Sequence, residues 1–228
     1  MPDSLIPVGA ALAIFPGILP RTVESAEADR FLPVAEIPRA DLAQVARAVP
    51  SRQREFATGR ALARAALARL GIGACDLPRG EDRAPVWPEG ATGSITHCCD
   101  YAAAAVSRPG DVAALGIDIE QHQALPDGIV SMVMTSAEVA RAAGLDREVH
   151  WDRVTFSAKE SVYKAWAGLT GRWLDFHDVT LEFSPGSGDF RARVSPEKGG
   201  PHIMMGSFAV SGRHVATSAI VWAGQEPL

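Results

Sequence analysis

The sequence predicts an α+β fold built from two similar subdomains, each made of helices followed by strands. Apolar residues recur at helical spacing in residues 37–70 and again in residues 135–166, and short β-type runs follow each region. The 228 residues suit one large domain or two small ones, and 47% of them are hydrophobic, enough to fill a core. We therefore predict subdomains over residues 1–113 and 114–228 with a functional cleft between them, although no residue-level repeat indicates a duplication.

Two helices are predicted in the first half of the chain. Ile37–Val49 is a short amphipathic segment that Pro50 ends. Ser51 can cap the next helix, which is rich in Arg and Ala and runs to Leu70, where Gly71 favours a stop. The second of these helices is long enough to cover one face of a sheet.

Two further helices are predicted in the second half. Thr135 and Glu138 have the spacing of a capping box, in which each side chain bonds the other's backbone N–H. Val149–Trp166 is the last helix, and its aromatic face contains Phe156, Tyr163 and Trp166. An aromatic face of this kind is more often core than binding surface.

Strands are predicted where β-branched and aromatic residues form short runs between turn residues. Ser211–Arg213 separates the last two runs and favours a tight hairpin. The apolar segment Val8–Leu19 predicts a buried strand or extended segment rather than a signal peptide, because Asp3 precedes it and Pro16 and Gly17 interrupt it. The seven predicted strands are Gly93–Cys98, Ala102–Arg108, Val112–Glu120, Val179–Phe183, Phe190–Val194, Ile203–Val210 and His214–Trp222.

Composition excludes several function classes. A net charge of −5 gives no broad basic surface for nucleic acid, and no apolar stretch reaches the length of a membrane span. The three cysteines, Cys75, Cys98 and Cys99, do not form a disulfide framework and fit reduced thiols in a cytoplasmic protein. A zinc site on His97, Cys98 and Cys99 would lack a second pair of ligands at finger-like spacing.

A first chemical motif is Gly116–Glu120. Residues two apart on a strand face the same side, so Asp118 and Glu120 share one face while Ile117 and Ile119 enter the core. Two neighbouring carboxylates repel each other unless a divalent cation lies between them. Taken alone, the pattern fits a strand end with two solvated acids at least as well.

A second motif is Phe156–Lys164, in the last helix. Glu160 and Lys164 lie one turn apart on the same face, which is also the spacing of an ordinary surface ion pair. The chain has only three lysines, and Lys159 and Lys164 are two of them. Because the chain uses Arg nearly everywhere else, the motif indicates a need for compact ammonium groups, which suit phosphate.

A third motif is Gly93–His97, where a strand carries Gly93, two hydroxyls and His97. This pattern could present hydrogen-bond donors to a phosphate, although a lone histidine in a strand is more often structural.

In this order and at these separations, the three motifs resemble the signature of 4′-phosphopantetheinyl transferases of the Sfp/EntD type. Trp87-Pro88 before the third motif and His150–Arg153 before the lysine-bearing helix are similar to the actinobacterial PptT-like members. The resemblance covers about residues 45–175, and neither the first 35 residues nor the tail after residue 185 carries a motif. It implies two α+β subdomains in a pseudo-twofold arrangement.

The resemblance implies a reaction and a set of residues. The enzyme would use Mg²⁺, or Mn²⁺, to transfer phosphopantetheine from coenzyme A to a serine of a carrier protein. Glu160 would also take the serine proton, Lys164 would contact the pyrophosphate, and Lys159 a nearby phosphate. The metal ligands would be Asp118, Glu120 and Glu160; the residues around the 3′-phosphoadenosine would be Arg52, Arg60, Arg79, Ser94, Thr96 and His97; the pantetheine channel would include Tyr163 and Trp173.

The partners implied are coenzyme A and apo acyl or peptidyl carrier proteins, serving siderophore, polyketide, nonribosomal peptide or fatty-acid synthesis, with neither nucleic acid nor membrane. Carrier proteins are acidic around the modified serine, so we expect a local basic patch drawn from Arg141, Arg147 and Arg153. Three alternatives remain open: a metal-dependent phosphodiesterase that removes the arm, a non-catalytic coenzyme A-binding module, and the shorter, trimeric acyl-carrier-protein synthases. The length favours a monomer containing both halves.

Overall fold

The computed structural model describes residues 13–81 and 83–224 of the chain. Its α-helices are α1 (Arg39–Gln44), α2 (Pro50–Arg69), α3 (Val130–Val133), α4 (Ser136–Ala142) and α5 (Trp151–Thr170). Its strands are β1 (Val23–Ala28), β2 (Thr92–Cys98), β3 (Tyr101–Ser107), β4 (Val112–Gln121), β5 (Val179–Ser184), β6 (Asp189–Val194), β7 (Ile203–Val210) and β8 (His214–Trp222). None of the helices described is long and apolar enough to cross a membrane.

The strands form two antiparallel sheets, and each sheet carries one 20-residue helix. A three-stranded sheet has the order β1-β3-β2 and packs against α2 through small buried side chains such as Ala63 and Ala104. A five-stranded sheet has the order β4-β8-β7-β6-β5 and packs against α5, with Val162 and Trp166 fully buried. The predicted α+β fold class is confirmed.

The two sheets meet along strands β2 and β4, and side-chain hydroxyls join them. The backbone N–H of Ile117 donates to Ser94 Oγ at 3.1 Å, and that of Ile119 donates to Thr96 Oγ1 at 3.1 Å. These hydroxyls occupy the positions that carbonyl groups fill in an ordinary β-ladder, so we call this contact the hydroxyl seam. The seam brings the third motif beside the first.

Most predicted strands agree with the structure within one or two residues, and the capping box of Thr135 and Glu138 is confirmed. Strand β1 was not predicted, since its sequence, Val-Glu-Ser-Ala-Glu-Ala, has little β-branched or aromatic character. The predicted boundary after residue 113 falls inside β4 and stays a prediction.

Several predicted ends were wrong. Helix α2 begins at Pro50 with Val49 as its N-cap residue, so Ser51 does not cap it, and the segment predicted as Ile37–Val49 is helical only over Arg39–Gln44. Helix α5 begins at Trp151 and extends to Thr170. Residues 8–12 of the apolar segment Val8–Leu19 lie outside the described residues, and Phe15–Gly17 of the same segment form a short 3₁₀ helix rather than a strand. Asp82 also lies outside the described residues.

Candidate active site

Strand β4 presents two acids toward the seam. Asp118 is only 5% exposed and Glu120 is half-buried, while Ile117 and Ile119 are fully buried in the core, as the alternation predicts. Gly116 allows this strand to lie directly on helix α5, because a Cβ at this position would stand 1.9 Å from the carbonyl oxygen of Ser161. The strand and the helix therefore meet backbone to backbone beside the acids.

Helix α5 brings Lys164 onto Asp118. The Lys164 ammonium donates to Asp118 Oδ1 at 2.7 Å and to the carbonyl oxygen of Ile117 at 3.0 Å. The same carboxylate oxygen accepts a bond from the Thr96 hydroxyl at 3.2 Å. Asp118 Oδ2 is buried and has no hydrogen-bond partner in the structure, so this carboxylate has one occupied oxygen and one free oxygen.

The other two acids have raised pKa values. Burial raises the pKa of Glu120 to about 7, the neighbouring charge of Asp118 adds to this, and Arg153 and Lys164 oppose it. Burial also raises the pKa of Glu160, with Lys164 opposing the rise and Asp118 adding to it. Both acids therefore lie within the electrostatic influence of Asp118, and acids of this kind are common in catalytic sites.

Two observations bear on whether these acids suit a divalent cation. Among the described residues no three or more His, Cys, Asp and Glu side chains are already spaced to hold a metal ion. The chemistry nevertheless fits, since Mg²⁺ takes one or a few carboxylates, keeps waters and shares substrate phosphates. The unpartnered Asp118 Oδ2 is one feature that a cation would relieve, and the pKa values of Glu120 and Glu160, which burial raises and the charge of Asp118 raises further, are another.

The β2 side of the seam presents His97 next to a basic and an acidic side chain from α2. Arg52 Nη1 lies 2.6 Å from His97 Nε2 and 3.2 Å from Glu55 Oε2. Burial lowers the pKa of His97, with Glu55 opposing this and Arg52 reinforcing it, so the ring is neutral and its Nε2 accepts from Arg52. Asp118 and Lys164 also influence this pKa, which places His97 near the acids of β4.

Arg60 and Arg79 lie differently. Arg60 is 4% exposed, donates from Nε to the Leu77 carbonyl oxygen and stacks on the Phe56 ring at 4.5 Å, and its buried Nη2 has no partner within the part of the chain that the structure describes. Burial lowers its pKa to about 10. Arg79 is exposed, and its backbone N–H donates to Gln44. The structure therefore places Arg60 inside the fold and Arg79 on its surface.

The prediction that Lys159 contacts a phosphate was wrong. Lys159 is 1% exposed, and its ammonium donates to Glu138 Oε2 and to the carbonyl oxygens of Val133 and Phe176, at 2.8–2.9 Å. These three acceptors use all three of its protons. Lys159 therefore fixes α5 to α3, α4 and the turn at Phe176, on the side of the helix away from Lys164.

Ser94 and Thr96 lie in the seam, and both side chains are buried. Their hydroxyls accept the backbone donors of β4, and the Thr96 proton is given to Asp118. Tyr163 is half-buried and makes an edge-to-face contact with Trp173, which is 66% exposed, with the ring centroids 5.0 Å apart. Tyr163 is the sequence neighbour of Lys164 in α5, and Trp173 follows the end of that helix.

The sequence reasoning missed the position of Arg153, which was expected on a surface patch. Arg153 is buried and forms an ion pair with Glu120, with Nη1 and Oε2 3.0 Å apart. The spacing was a usable signal, since Arg153 and Glu160 lie seven residues apart, two turns, on the same helix face. Arg141 and Arg147 are exposed, as expected.

Comparison of the sequence with known proteins identifies the family of this chain. The family model described as the 4′-phosphopantetheinyl transferase N-terminal domain matches residues 40–107, and that of the 4′-phosphopantetheinyl transferase superfamily matches residues 114–217. Svp of Streptomyces mobaraensis, a 4′-phosphopantetheinyl transferase, is 50% identical over 165 residues, which cover 71% of this chain and 67% of that protein.

Two further relatives bear the same description. Npt of Nocardia iowensis is 41% identical over 174 residues, covering 75% of this chain and 78% of Npt. PptT of Mycobacterium tuberculosis is 41% identical over 150 residues, covering 65% of this chain and 66% of PptT. With both family models matching in sequence order around the seam, the chain belongs to the 4′-phosphopantetheinyl transferase superfamily, as an enzyme of the Sfp/EntD type close to the actinobacterial members.

Proposed function

We propose that the enzyme transfers the 4′-phosphopantetheine moiety of coenzyme A to a serine of an apo acyl or peptidyl carrier protein, in a Mg²⁺-dependent reaction that releases adenosine 3′,5′-bisphosphate. The observation that carries this proposal is the ion pair between Lys164 and Asp118. It joins the two motifs across β4 and α5 and puts an ammonium group and an unpartnered carboxylate oxygen at one point, beside two acids with raised pKa values. A diphosphate ester and a cation need this combination of charges.

Asp118, Glu120 and Glu160 would hold the Mg²⁺ ion. When bound, such an ion neutralises charge on the pyrophosphate and on the departing phosphate. Lys164 supplies a further positive charge to the same oxygens, once the diphosphate competes with Asp118 for its ammonium. Phosphoryl transfers depend mostly on such positioning and charge stabilisation.

The proton of the carrier serine goes to Glu160 in this proposal. The serine oxygen forms a bond to the phosphorus nearest the pantetheine, and the bond from that phosphorus to the bridging oxygen breaks, so that the electron pair leaves with the adenosine bisphosphate. Glu160 lies within the electrostatic influence of both Lys164 and Asp118, and this position beside the phosphate-binding ammonium supports its carboxylate as the general base.

The 3′-phosphoadenosine would lie along β2 and α2. His97 and Arg52 are close enough to bind one phosphate together, with Arg79 at the surface edge of the same region. Arg60 would support this side from within, and Ser94 and Thr96 would act through the strand positions that they fix. Tyr163 and Trp173 would line the pantetheine arm, since their rings are in contact and Tyr163 is next to Lys164 in the sequence.

The carrier protein would bind over the exposed Arg141 and Arg147, through modest and salt-sensitive attraction to its acidic surface. We place the enzyme in the cytoplasm as a monomer, an assignment supported by three free cysteines that fit a reducing compartment.

Intact-mass spectrometry tests the reaction. A panel of apo-carrier proteins is incubated with the enzyme, coenzyme A and Mg²⁺, and a matched holo-carrier is incubated without coenzyme A. We expect the apo-carriers to gain one phosphopantetheine, and a chelator to abolish the gain. Loss of the arm from the holo-carrier would instead identify a phosphodiesterase, and coenzyme A binding without any mass change would identify a non-catalytic module.

Lys164→Met tests the observation behind the proposal. Loss of the ammonium is expected to lower kcat/KM for coenzyme A at least 100-fold, because a charged partner of the diphosphate is removed. Lys198→Met, on a surface lysine paired with Asp178, is the matched control. Carrier modification by Lys164→Met at the wild-type rate would refute the phosphate role.

A further inference from the structure

Arg153 makes more polar contacts than the proposed reaction uses. From α5 its Nη1 donates to Glu120 Oε2 at 3.0 Å, its Nε to the carbonyl oxygen of Gln123 at 3.1 Å and its Nη2 to that of Ala124 at 3.2 Å. The guanidinium is thus fixed on three sides by the end of β4 and the segment that follows it. A planar fork held in this way cannot turn to serve another partner.

The contact with Glu120 has a specific geometry. Arg153 occupies Oε2, and among the described residues Glu120 Oε1 has no hydrogen bond. Asp118 shows the same division, since Oδ1 is occupied by Lys164 and Thr96 while Oδ2 is unpartnered. Each carboxylate of β4 is therefore anchored by one oxygen and offers the other.

The two anchors differ in what can displace them. The Lys164 ammonium sits on a flexible stem and is expected to move to the diphosphate when coenzyme A binds. Arg153 is buried and has two backbone carbonyls that no substrate replaces. Arg153 therefore keeps its hold on Glu120 when the site fills.

We infer that Arg153 is the positioning residue that orients Glu120 toward the divalent cation. This inference rests on the proposed function, since it assigns the role that Arg153 plays at the same site. Hydrogen bonds from residues around a metal ligand typically change metal affinity 10–100-fold when they are removed. The same change should leave coenzyme A binding by the β2 side nearly unaffected, because Arg153 does not contact that side.

Mn²⁺ binding gives a readout that does not depend on turnover. Electron paramagnetic resonance of free Mn²⁺, in the presence of the product adenosine 3′,5′-bisphosphate, which carries no phosphopantetheine to transfer, yields the Mn²⁺ dissociation constant of each variant. We expect Arg153→Met to raise this constant about tenfold or more. Arg108→Met is the matched control, since Arg108 is exposed and donates to a single carbonyl, that of Leu70, and it should stay within twofold of the wild type.

A double-mutant cycle separates positioning from general destabilisation. If Arg153 acts through Glu120, then Arg153→Met should cost little further Mn²⁺ affinity in a Glu120→Gln background, within about twofold. Full additivity of the two changes overturns the inference, and so does an Arg153→Met protein that binds Mn²⁺ like the wild type.

A conservative variant covers the case in which Arg153→Met does not fold. Arg153→Lys keeps the charge but replaces three separate donor nitrogens by a single one, which does not match acceptors arranged around a planar guanidinium, so its Mn²⁺ constant should still rise at least threefold. A value within twofold of the wild type overturns the role. A wild-type enzyme that modifies no apo-carrier would instead refute the proposed function. Failure of the Arg153 role and failure of the proposed function are therefore distinguishable.

Discussion

At the scale of single residues, the site depends on how three cationic or hydroxyl side chains distribute themselves over two acids. Lys164 and Thr96 share one oxygen of Asp118, and Arg153 holds one oxygen of Glu120. The ion pair with Arg153 does not keep the pKa of Glu120 low, since that pKa rises to about 7. Burial next to a second acid outweighs the ion pair there.

The raised pKa of Glu120 makes a prediction about stability and pH. A carboxyl group whose pKa is higher in the folded state takes up protons on folding, so its contribution is present at low pH and is lost as the pH rises from about 4.5 to about 7. Without metal, the stability of the Glu120→Gln protein relative to the wild type should therefore increase between about pH 5 and pH 7.5, by up to about 2.4 kcal/mol. Urea unfolding in a chelator at both pH values measures this.

The comparison with the variant matters because His97 has a lowered pKa and acts in the opposite direction over the same range. Taking the difference between the two proteins removes that contribution. If the difference in unfolding free energy between variant and wild type is the same at both pH values, Glu120 is not buried beside a charged Asp118.

His97 and Arg52 lead to a prediction about the nucleotide. If they bind the 3′-phosphate, His97→Ala should lower kcat/KM for coenzyme A by about tenfold while leaving that for 3′-dephospho-coenzyme A almost unchanged, because the lost charge-assisted bond is specific to one phosphate. Steady-state kinetics with both donors measures the ratio. Equal losses with the two donors would assign His97 a structural role.

The shared face of the two acids on β4 was predicted correctly and the position of one lysine on α5 wrongly, for reasons that are physical. Strand alternation is a strict two-residue rule, so Asp118 and Glu120 had to share a face. Lys159 and Lys164 are five residues apart, which turns them by about 140° around a helix. The chain's preference for Arg made both lysines look alike, whereas the helix period separates a buried structural ammonium from one at the site.

At the scale of elements, the contact between β4 and α5 sets the distance between the two motifs. Gly116 leaves no room for a methyl group against Ser161, and the hydroxyl of Ser161 bonds Thr217 on the neighbouring strand β8. Small residues on both surfaces let the helix approach the sheet until Lys164 reaches Asp118. The motifs pointed to the family, but the local sequence pattern does not show how closely the helix approaches the strand. That distance is seen only in the three-dimensional structure.

Gly116→Ala is predicted to destabilise the protein by about 3 kcal/mol or more, because the added methyl group meets backbone atoms that cannot yield. Gly168→Ala, in the exposed last turns of the same helix, has open space and should instead stabilise by about 0.5–1 kcal/mol. Urea denaturation compares the two. A near-neutral Gly116→Ala protein would contradict the packing described for β4 and α5.

At the scale of the whole molecule, a buried ion pair connects segments that are distant in sequence. Glu138 accepts bonds from Lys159, from the backbone of Thr135 and from the backbone of Leu181, so one carboxylate ties α4, α5 and β5 together. These bonds lower the pKa of Glu138 despite its burial, which alone would raise it. The capping-box spacing predicted the Thr135–Glu138 contact, but nothing in the sequence indicated the bonds of Glu138 with Lys159 and Leu181.

Lys159→Met should therefore cost about 3–5 kcal/mol of unfolding free energy, since it leaves Glu138 charged and buried without its partner. The folded fraction of this variant should keep a KM for coenzyme A within about twofold of the wild type, in contrast to Lys164→Met. Denaturation and steady-state kinetics on the same preparation test both parts. A stable Lys159→Met variant with a strongly raised KM for coenzyme A would indicate that Lys159 contacts a phosphate after all.

The position of β4 in its sheet affects how the protein is made. Within the described residues, the acid-bearing strand has β8 as its one ladder partner, about a hundred residues later in the sequence, and its contact with β2 is made through hydroxyls. A nascent chain on the ribosome can thus complete the three-stranded sheet before β8 is made, while the strand that bears Asp118 and Glu120 still lacks its ladder partner. The catalytic acids are then expected to reach their final positions only after residues 214–222 have left the ribosome.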